Sequence, residues 1–302
     1  MTRPIPRTMA PPTSYGSAVL LPSSPPAGGR LRLRLSDDLV TGLASHLTDR
    51  DRYLCGLLAE HRVLTTNQIT TVAFDSPISA RHRLAELYRL RVLDRFRPFR
   101  TVGTAPHHYV LDALGAMVVA AEWGIEEGEL SWRRDRALGL ATSRQLQHRV
   151  GVNGFFCALL GVARGDPDVE LSTWWSERRC RARFGEVVRP DGYGVWRAHG
   201  SECAFFLEYD RGTETHERLA GKLDGYAMLG AATPDPFVVL FVFVGAKREA
   251  QARRTFAGTP VPVATALESV TAGTGFLPVS STGPRCSLGE LARIVHGERD
   301  CR

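Results

Sequence analysis

Lysine is nearly absent: of 38 basic residues only Lys222 and Lys247 are lysine, leaving 36 arginines. Such a skew reflects GC-rich coding more readily than phosphate recognition, so it carries no functional weight. Long apolar runs are missing as well. The longest, Phe237 to Val244, has eight residues. That is the length of a buried strand, whereas a bilayer span needs about 20. The apolar stretch at residues 18–21 is too short, and too closely flanked by proline, for a signal peptide. These absences lead us to expect a cytoplasmic protein with no membrane partner. The six cysteines (55, 157, 180, 203, 286 and 301) contain no Cys-x-x-Cys pair, which argues against a zinc site or disulfide framework. The first four lie inside apolar segments, where free cysteine behaves as a small core residue. There is no Walker-type or dinucleotide glycine loop, so no nucleotide cofactor is expected.

What is present is an ordinary globular composition, 43% hydrophobic and 23% charged, over 302 residues. At roughly 150 residues per domain that suggests about two domains. The net charge of +6 favours a polyanionic partner weakly. Residues 1–29 hold seven prolines among Ser, Gly and Thr, the composition of a disordered tail. A basic stretch follows over 30–46.

From Leu47 the pattern becomes regular. Thr48 can cap a helix with Asp49 and Asp51 in its first turn, and Thr65 or Thr66 a second, short one. Ser76-Pro77 marks the start of a third helix, reaching about Arg91. Residues 92–99 and 107–111 read as two strands around a glycine-containing loop. Three helices and a β-hairpin describe a winged helix-turn-helix over 47–123. On the third helix, Ala80, Leu84, Leu87 and Tyr88 share the inward face, while Ser79, His82, Glu86 and Arg89 point outward. In a helix-turn-helix the second helix of the motif enters the major groove. Ser79, His82 and Arg83 are therefore the candidates for base contacts, with Arg81 and Arg89 on phosphates and Arg95, Arg97 and Arg100 on the wing. Double-stranded DNA is the expected partner. The plainer alternatives are a solvated basic face or a protein-interaction module.

Residues 124–142 read as a charged linker. Beyond it the expected order is helix 143–164, strands 169–178, 186–197 and 203–210, helix 214–230, strand 237–244, helix 246–256 and strand 261–267. This αβββαβ series predicts a mixed sheet with helices on its faces over 143–270. A C-terminal extension, 271–302, carries one helix at 288–295. The whole reads as an α+β protein.

If His199-Gly200 forms a two-residue turn, Ala198 pairs with Ser201, Asp191 faces Glu208 and Arg189 faces Asp210. Glu208 and Asp210 then share a sheet face. Like charges across a hairpin destabilise it, so either a hard divalent cation or arginines (Arg189 against Asp210, Arg211 nearby) must neutralise the patch.

Pro190-Asp191 on one strand and Glu208 on the next resemble the core of the PD-(D/E)xK nucleases, a restriction-endonuclease-like fold. The resemblance implies Mg²⁺ or Mn²⁺ on Asp191 and Glu208, and a lysine two residues later that helps activate water. Asp210 stands where that lysine would be. Lys222, on the following helix with Glu217, Asp224 and Tyr226, is the candidate substitute. Asp191, Glu208, Asp210 and Lys222 are thus the catalytic candidates.

Over about 47–245 the chain is similar to the actinobacterial replication–relaxation family. The carrying segments are Leu47-Thr48-Asp49-Arg50-Asp51, His61-Arg62-Val63-Leu64-Thr65-Thr66-Asn67-Gln68, Leu93-Asp94-Arg95-Phe96-Arg97-Pro98 and His108-Tyr109-Val110-Leu111-Asp112. His148-Arg149-Val150-Gly151-Val152-Asn153 and Phe206 to Glu214, with Lys222-Leu223, complete the set. The resemblance implies a role in plasmid or integrative-element replication or DNA transfer; a homodimer, and replication or transfer proteins, are the further partners expected. His148 and Asn153 match its helix motif, but residues five apart lie about 140° apart on a helix. His107-His108-Tyr109 lacks the His-hydrophobic-His spacing of metal-triad relaxases. Two other functions stay open. One is a transcription regulator whose second domain mediates dimerisation or partner binding. The other is an active Mg²⁺-dependent, defence-type endonuclease.

Overall fold

A computed structural model describes residue 42 and residues 46–126, 128–130, 132–269 and 274–295. The expected proline-rich tail, 1–29, lies outside them. The first unit runs α1 (Asp49–His61), β1 (Leu64–Thr65), α2 (Thr66–Ala73), α3 (Pro77–Arg89), β2 (Leu93–Phe96), β3 (His108–Leu111) and α4 (Ala113–Trp123). Its caps follow local chemistry. Thr48 and Asp51 form a reciprocal capping box on α1, and Thr65 and Gln68 form one on α2. Ser76 caps α3 with Pro77 in its first turn. The three strands form an antiparallel sheet in the order β1-β3-β2. The two-residue β1 is too short to show in the sequence pattern.

A short helix α5 (Arg134–Gly139) leads to α6 (Leu146–Ala163), β4 (Val169–Ser176), α7 (Glu177–Phe184), β5 (Gly192–Ala198), β6 (Ser201–Asp210), α8 (His216–Ala232) and β7 (Val238–Phe243). Then come α9 (Ala246–Thr255), β8 (Val263–Leu267), β9 (Thr274–Pro278), β10 (Cys286–Ser287) and α10 (Leu288–Val295). The expected strand 169–178 ends at Ser176, whose hydroxyl caps an inserted helix, α7, and the expected strand 186–197 begins only at Gly192 and runs to Ala198. That helix (ERRCRARF) has one buried residue, Cys180, so no apolar period announced it.

Seven strands make one mixed sheet, β10-β9-β8-β7-β6-β5-β4, parallel at β6-β7-β8 and antiparallel elsewhere. The β5–β6 turn is His199-Gly200, both at positive φ (47° and 81°), as a tight hairpin requires. Ala198 pairs with Ser201 and Gly192 with Leu207, the register the sequence predicted.

Every residue of β7 is buried, as expected for a strand covered on both faces. Phe205, Leu207, Leu240 and Val242 face α6 and α10, in a core continuous with Leu54 and Leu58 of α1. Phe206, Val239, Phe241 and Phe243 face Leu219, Leu223, Ala252 and Phe256 of α8 and α9. One contact fixes how closely α6 approaches the sheet. A Cβ on Gly151 would lie 2.3 Å from the Tyr209 ring, so only glycine fits there.

Candidate functional site

The register brings Asp191 to the start of β5 beside the end of β6, where Glu208 and Asp210 point to the α8–α9 face. Three carboxylates in one patch need cations, and each finds a different one. Asp191 Oδ1 lies 2.9 Å from His148 Nε2 of α6, and its Oδ2 accepts from the Tyr209 N–H at 2.8 Å. Glu208, 2% exposed, accepts from Lys222 Nζ at 2.8 Å and from the Tyr226 hydroxyl at 2.6 Å. Lys222 and Tyr226 are one helical turn apart on α8, so one face delivers both donors. Lys222 also reaches Glu214 at 3.0 Å. Asp210 is bound by Arg248 of α9, which also donates to the Glu214 carbonyl. The partner expected from the hairpin register, Arg189, is exposed and turns back to the Gly185 carbonyl at 3.3 Å. The strand ends at Gly192, so residue 189 never reaches a paired position.

A cleft of about 200 Å³ opens onto this cluster, lined by His148, Arg149, Asp191, Glu208, Glu214 and Lys222 among others. Burial, and then the charge of Asp191, push Glu208 above the usual carboxylate range in spite of Lys222 and Tyr226. Burial works against the charged Lys222, but the charge and hydrogen bonds of Glu208 outweigh it and raise its pKa, so it stays an ammonium ion. Burial likewise opposes a charged His148, and the Asp191 hydrogen bond and charge prevail, raising it.

Asn153 does not belong to this site. It is buried, and its amide donates to the carbonyls of Val63 at 2.7 Å and His61 at 3.3 Å, tying α6 to the α1–β1 connection. Among the described residues no group of three or more His, Cys, Asp or Glu side chains is arranged to hold a metal. Mg²⁺, however, is commonly held by one or two carboxylates, with water and substrate phosphates completing its shell. Asp191 and Glu208, beside an open cleft, fit that requirement.

On α3, Ala80, Leu84 and Leu87 are buried, while Ser79, Arg81, His82 and Arg89 are exposed. Ser79 and Arg81 also bond backward to the carbonyls of Ser76 and Pro77. Arg83 is turned elsewhere: it clamps the fully buried Asp51 of α1 at 2.5 Å and Glu86 at 2.6 Å. Arg95 stacks over Tyr88 at 4.4 Å, and Arg97 is exposed just past the end of β2.

Sequence reasoning missed Arg248, which lies 38 residues from its partner. It also missed the His148–Asp191 contact, 43 residues apart. The Lys222–Tyr226 spacing was the one available signal for the ligands of Glu208.

The family model described as replication-relaxation matches residues 56–235, more than half of the chain, and the chain belongs to that family. That membership suggests a role in plasmid or mobile-element replication or transfer. No curated protein and no solved structure matches it. Among the described residues no helix is long and apolar enough to cross a membrane.

Proposed function

We propose that this chain is a DNA-binding protein of plasmid or mobile-element replication or transfer, and that its second unit cuts one DNA strand. The observation that carries the reading is the meeting of Asp191 from β5, Glu208 from β6 and Lys222 from α8 at one open cleft. The order α6-β4-β5-β6-α8-β7, interrupted between β4 and β5 by α7 and with β7 parallel to β6, supports a nuclease-like core. A lysine supplied from the helix stands in for the one missing at position 210.

For the first unit, the order helix–strand–helix–helix–strand–strand and the sheet order β1-β3-β2 support a winged helix-turn-helix. Its exposed Ser79, Arg81, His82 and Arg89 suit α3 to the major groove, with Arg95 and Arg97 at the wing. Arg83 belongs to the fold, because Asp51 and Glu86 occupy it.

The reaction class is phosphodiester hydrolysis. A water oxygen bonds to phosphorus, the bond to the leaving sugar oxygen breaks, and that oxygen takes a proton. Mg²⁺ or Mn²⁺ on Asp191 and Glu208 would supply Lewis acidity and a more acidic water. Lys222, held protonated, is no base; its N–H groups face the charge that develops on the phosphate. His148 orients Asp191, and Tyr226 orients Glu208. Asp210 and Arg248 clamp the end of β6 to α9.

The test is incubation of purified protein with supercoiled plasmid carrying its native locus and Mg²⁺ or Mn²⁺, beside Asp191→Ala and Glu208→Ala. Nicking by the wild type alone supports the proposal. An intact plasmid that is retarded in a gel shift would instead indicate a transcription regulator.

A further inference from the structure

A second concentration of charge adjoins the carboxylate cleft. Arg62 ends α1, Arg133 and Arg136 belong to the α5 region, Arg149 to α6 and Arg178 to α7. Arg62, Arg133, Arg136 and Arg178 line one cavity of about 170 Å³, floored by Leu58, Leu111 and Trp132. The compensating acids are few. Arg133 pairs with Asp135 at 3.1 Å, Arg178 reaches Glu60 at 3.5 Å, and Arg149 reaches Glu177 at 3.8 Å. Glu60 is already engaged by the backbone N–H and hydroxyl of Ser176. Among the described residues no carboxylate pairs with Arg62 or Arg136. The Nε of Arg149 is buried with no acceptor. Burial, and then the charges of Arg149, Arg178 and Arg136, hold the Arg62 guanidinium below its ordinary value.

Like charges gathered in a partly desolvated hollow repel; Arg178 is offset by the buried Glu60 and the Ala59 carbonyl, whereas among the described residues Arg62 and Arg136 have no paired carboxylate there. Guanidinium groups match phosphate oxygens in bidentate geometry, and DNA places phosphates at regular intervals. Arg149, whose charge acts on Arg62 in that cavity, itself lines the carboxylate cleft, so positive charge continues from the cavity toward Asp191 and Glu208. We propose that Arg62, Arg136, Arg149 and Arg178 seat the phosphodiester backbone of the DNA strand that passes into the carboxylate cleft. This rests on the strand-cutting reading for its direction. Its binding contribution is separate from that of α3.

The test is fluorescence anisotropy of the full chain with a labelled single-stranded oligonucleotide, and with its duplex, in EDTA over a salt series. Without metal no cutting interferes. Arg62→Gln/Arg136→Gln weakens single-strand binding at least about tenfold near 100 mM salt. It also lowers the slope of log K against log salt by about 1.4, since each single-strand phosphate contact contributes about 0.7. Arg254→Gln, an exposed charge on α9, serves as control and stays within about twofold. Should the double variant fail to melt as a folded protein, Arg136→Gln alone, on an exposed side chain, weakens binding at least about threefold.

Wild-type slope and affinity in these variants would overturn the proposal, as would displacement of the oligonucleotide by micromolar inorganic pyrophosphate, which would mark a small-anion pocket. The two readings fail separately. Nicking that survives Asp191→Ala removes the proposed function and leaves this binding result standing. Nicking by the wild type, with unchanged binding in Arg62→Gln/Arg136→Gln, removes only the groove.

Discussion

Lys222 Nζ lies 2.8 Å from Glu208 Oε2, although the two residues sit on different elements and 14 positions apart. In the nuclease pattern that this hairpin resembles, the lysine follows the acid by two residues on the same strand. Here that strand position holds Asp210, which Arg248 of α9 neutralises. On the proposed nuclease reading, the charge of the pattern is kept while its chain position changes. A lysine on the packed helix reaches the same carboxylate from the side.

The role given to Lys222 makes it dispensable for folding and necessary for chemistry. Without its ammonium group the metal-free Glu208 takes up a proton, so a buried unpaired charge is avoided, and saturating Mn²⁺ displaces that proton. Lys222→Met should melt near the wild-type temperature and nick plasmid about 10²- to 10³-fold more slowly, the usual effect of losing one transition-state donor. Initial rates with saturating Mn²⁺ measure this, and a rate within threefold of wild type would remove Lys222 from the mechanism.

On α3 the arginines divide by role. Arg83→Ala strands the buried Asp51 and should cost about 3 kcal/mol of stability in urea unfolding. Arg81→Ala/Arg89→Ala should leave the unfolding midpoint within about 0.5 kcal/mol. It should weaken duplex binding about tenfold or more, with a shallower salt dependence. The opposite division would place the DNA surface elsewhere.

His61 makes the fold acid-sensitive. It is buried at the α1 end, stacked on Trp174 with ring centroids 3.6 Å apart, and neither ring nitrogen has a hydrogen-bond partner. Burial pushes its pKa down to about 3, from 6.5 in an exposed histidine. Above pH 6.5 the ring is neutral in both states, and its titration leaves stability unchanged. As pH falls from 6.5 toward 3 the unfolded chain takes up a proton that the folded chain refuses, so stability drops. The slope approaches about 1.4 kcal/mol per pH unit, or about 2 kcal/mol by pH 5. His61→Phe keeps the stack and removes the titration. Urea midpoints at pH 7 and pH 5 should fall less in the variant; an equal fall in both proteins would mean that other groups govern acid stability.

Gly151 couples packing to the site. Its α-carbon lets α6 lie against the ring of Tyr209, whose backbone N–H holds Asp191. Gly151→Ala should cost about 1–3 kcal/mol by overpacking. Displacing Tyr209 should also slow nicking, even at temperatures where the variant remains folded. Thermal melts and nicking rates of the same preparation check both effects, and full activity with a lowered melting temperature would show that Asp191 is held without Tyr209.

Much of this was legible in the sequence, for local reasons. Thr48, Thr65 and Ser76-Pro77 announce their helices because capping acts within four residues. The β5–β6 register follows from His199-Gly200, because a two-residue turn fixes every pair above it. What escaped was set by tertiary placement. Helix α7 is amphiphilic only through Cys180, so its polar sequence looked like strand edge or loop. Arg248 reaches Asp210, and His148 reaches Asp191, only after helices dock on the sheet. The arginine cavity draws on α1, β3, α5 and α7, and in an arginine-rich chain no spacing marks those residues out.

The central claim is that Asp191 and Glu208 together hold a divalent cation at the cleft. Its most direct test needs no knowledge of the DNA sequence: calorimetric titration of the full chain with Mn²⁺, beside Asp191→Asn and Glu208→Gln. The account predicts one site in the wild type that weakens at least about tenfold in each variant, since each removes one of two charged ligands. Mn²⁺ binding that is absent from the wild type, or equal in all three proteins, would contradict it.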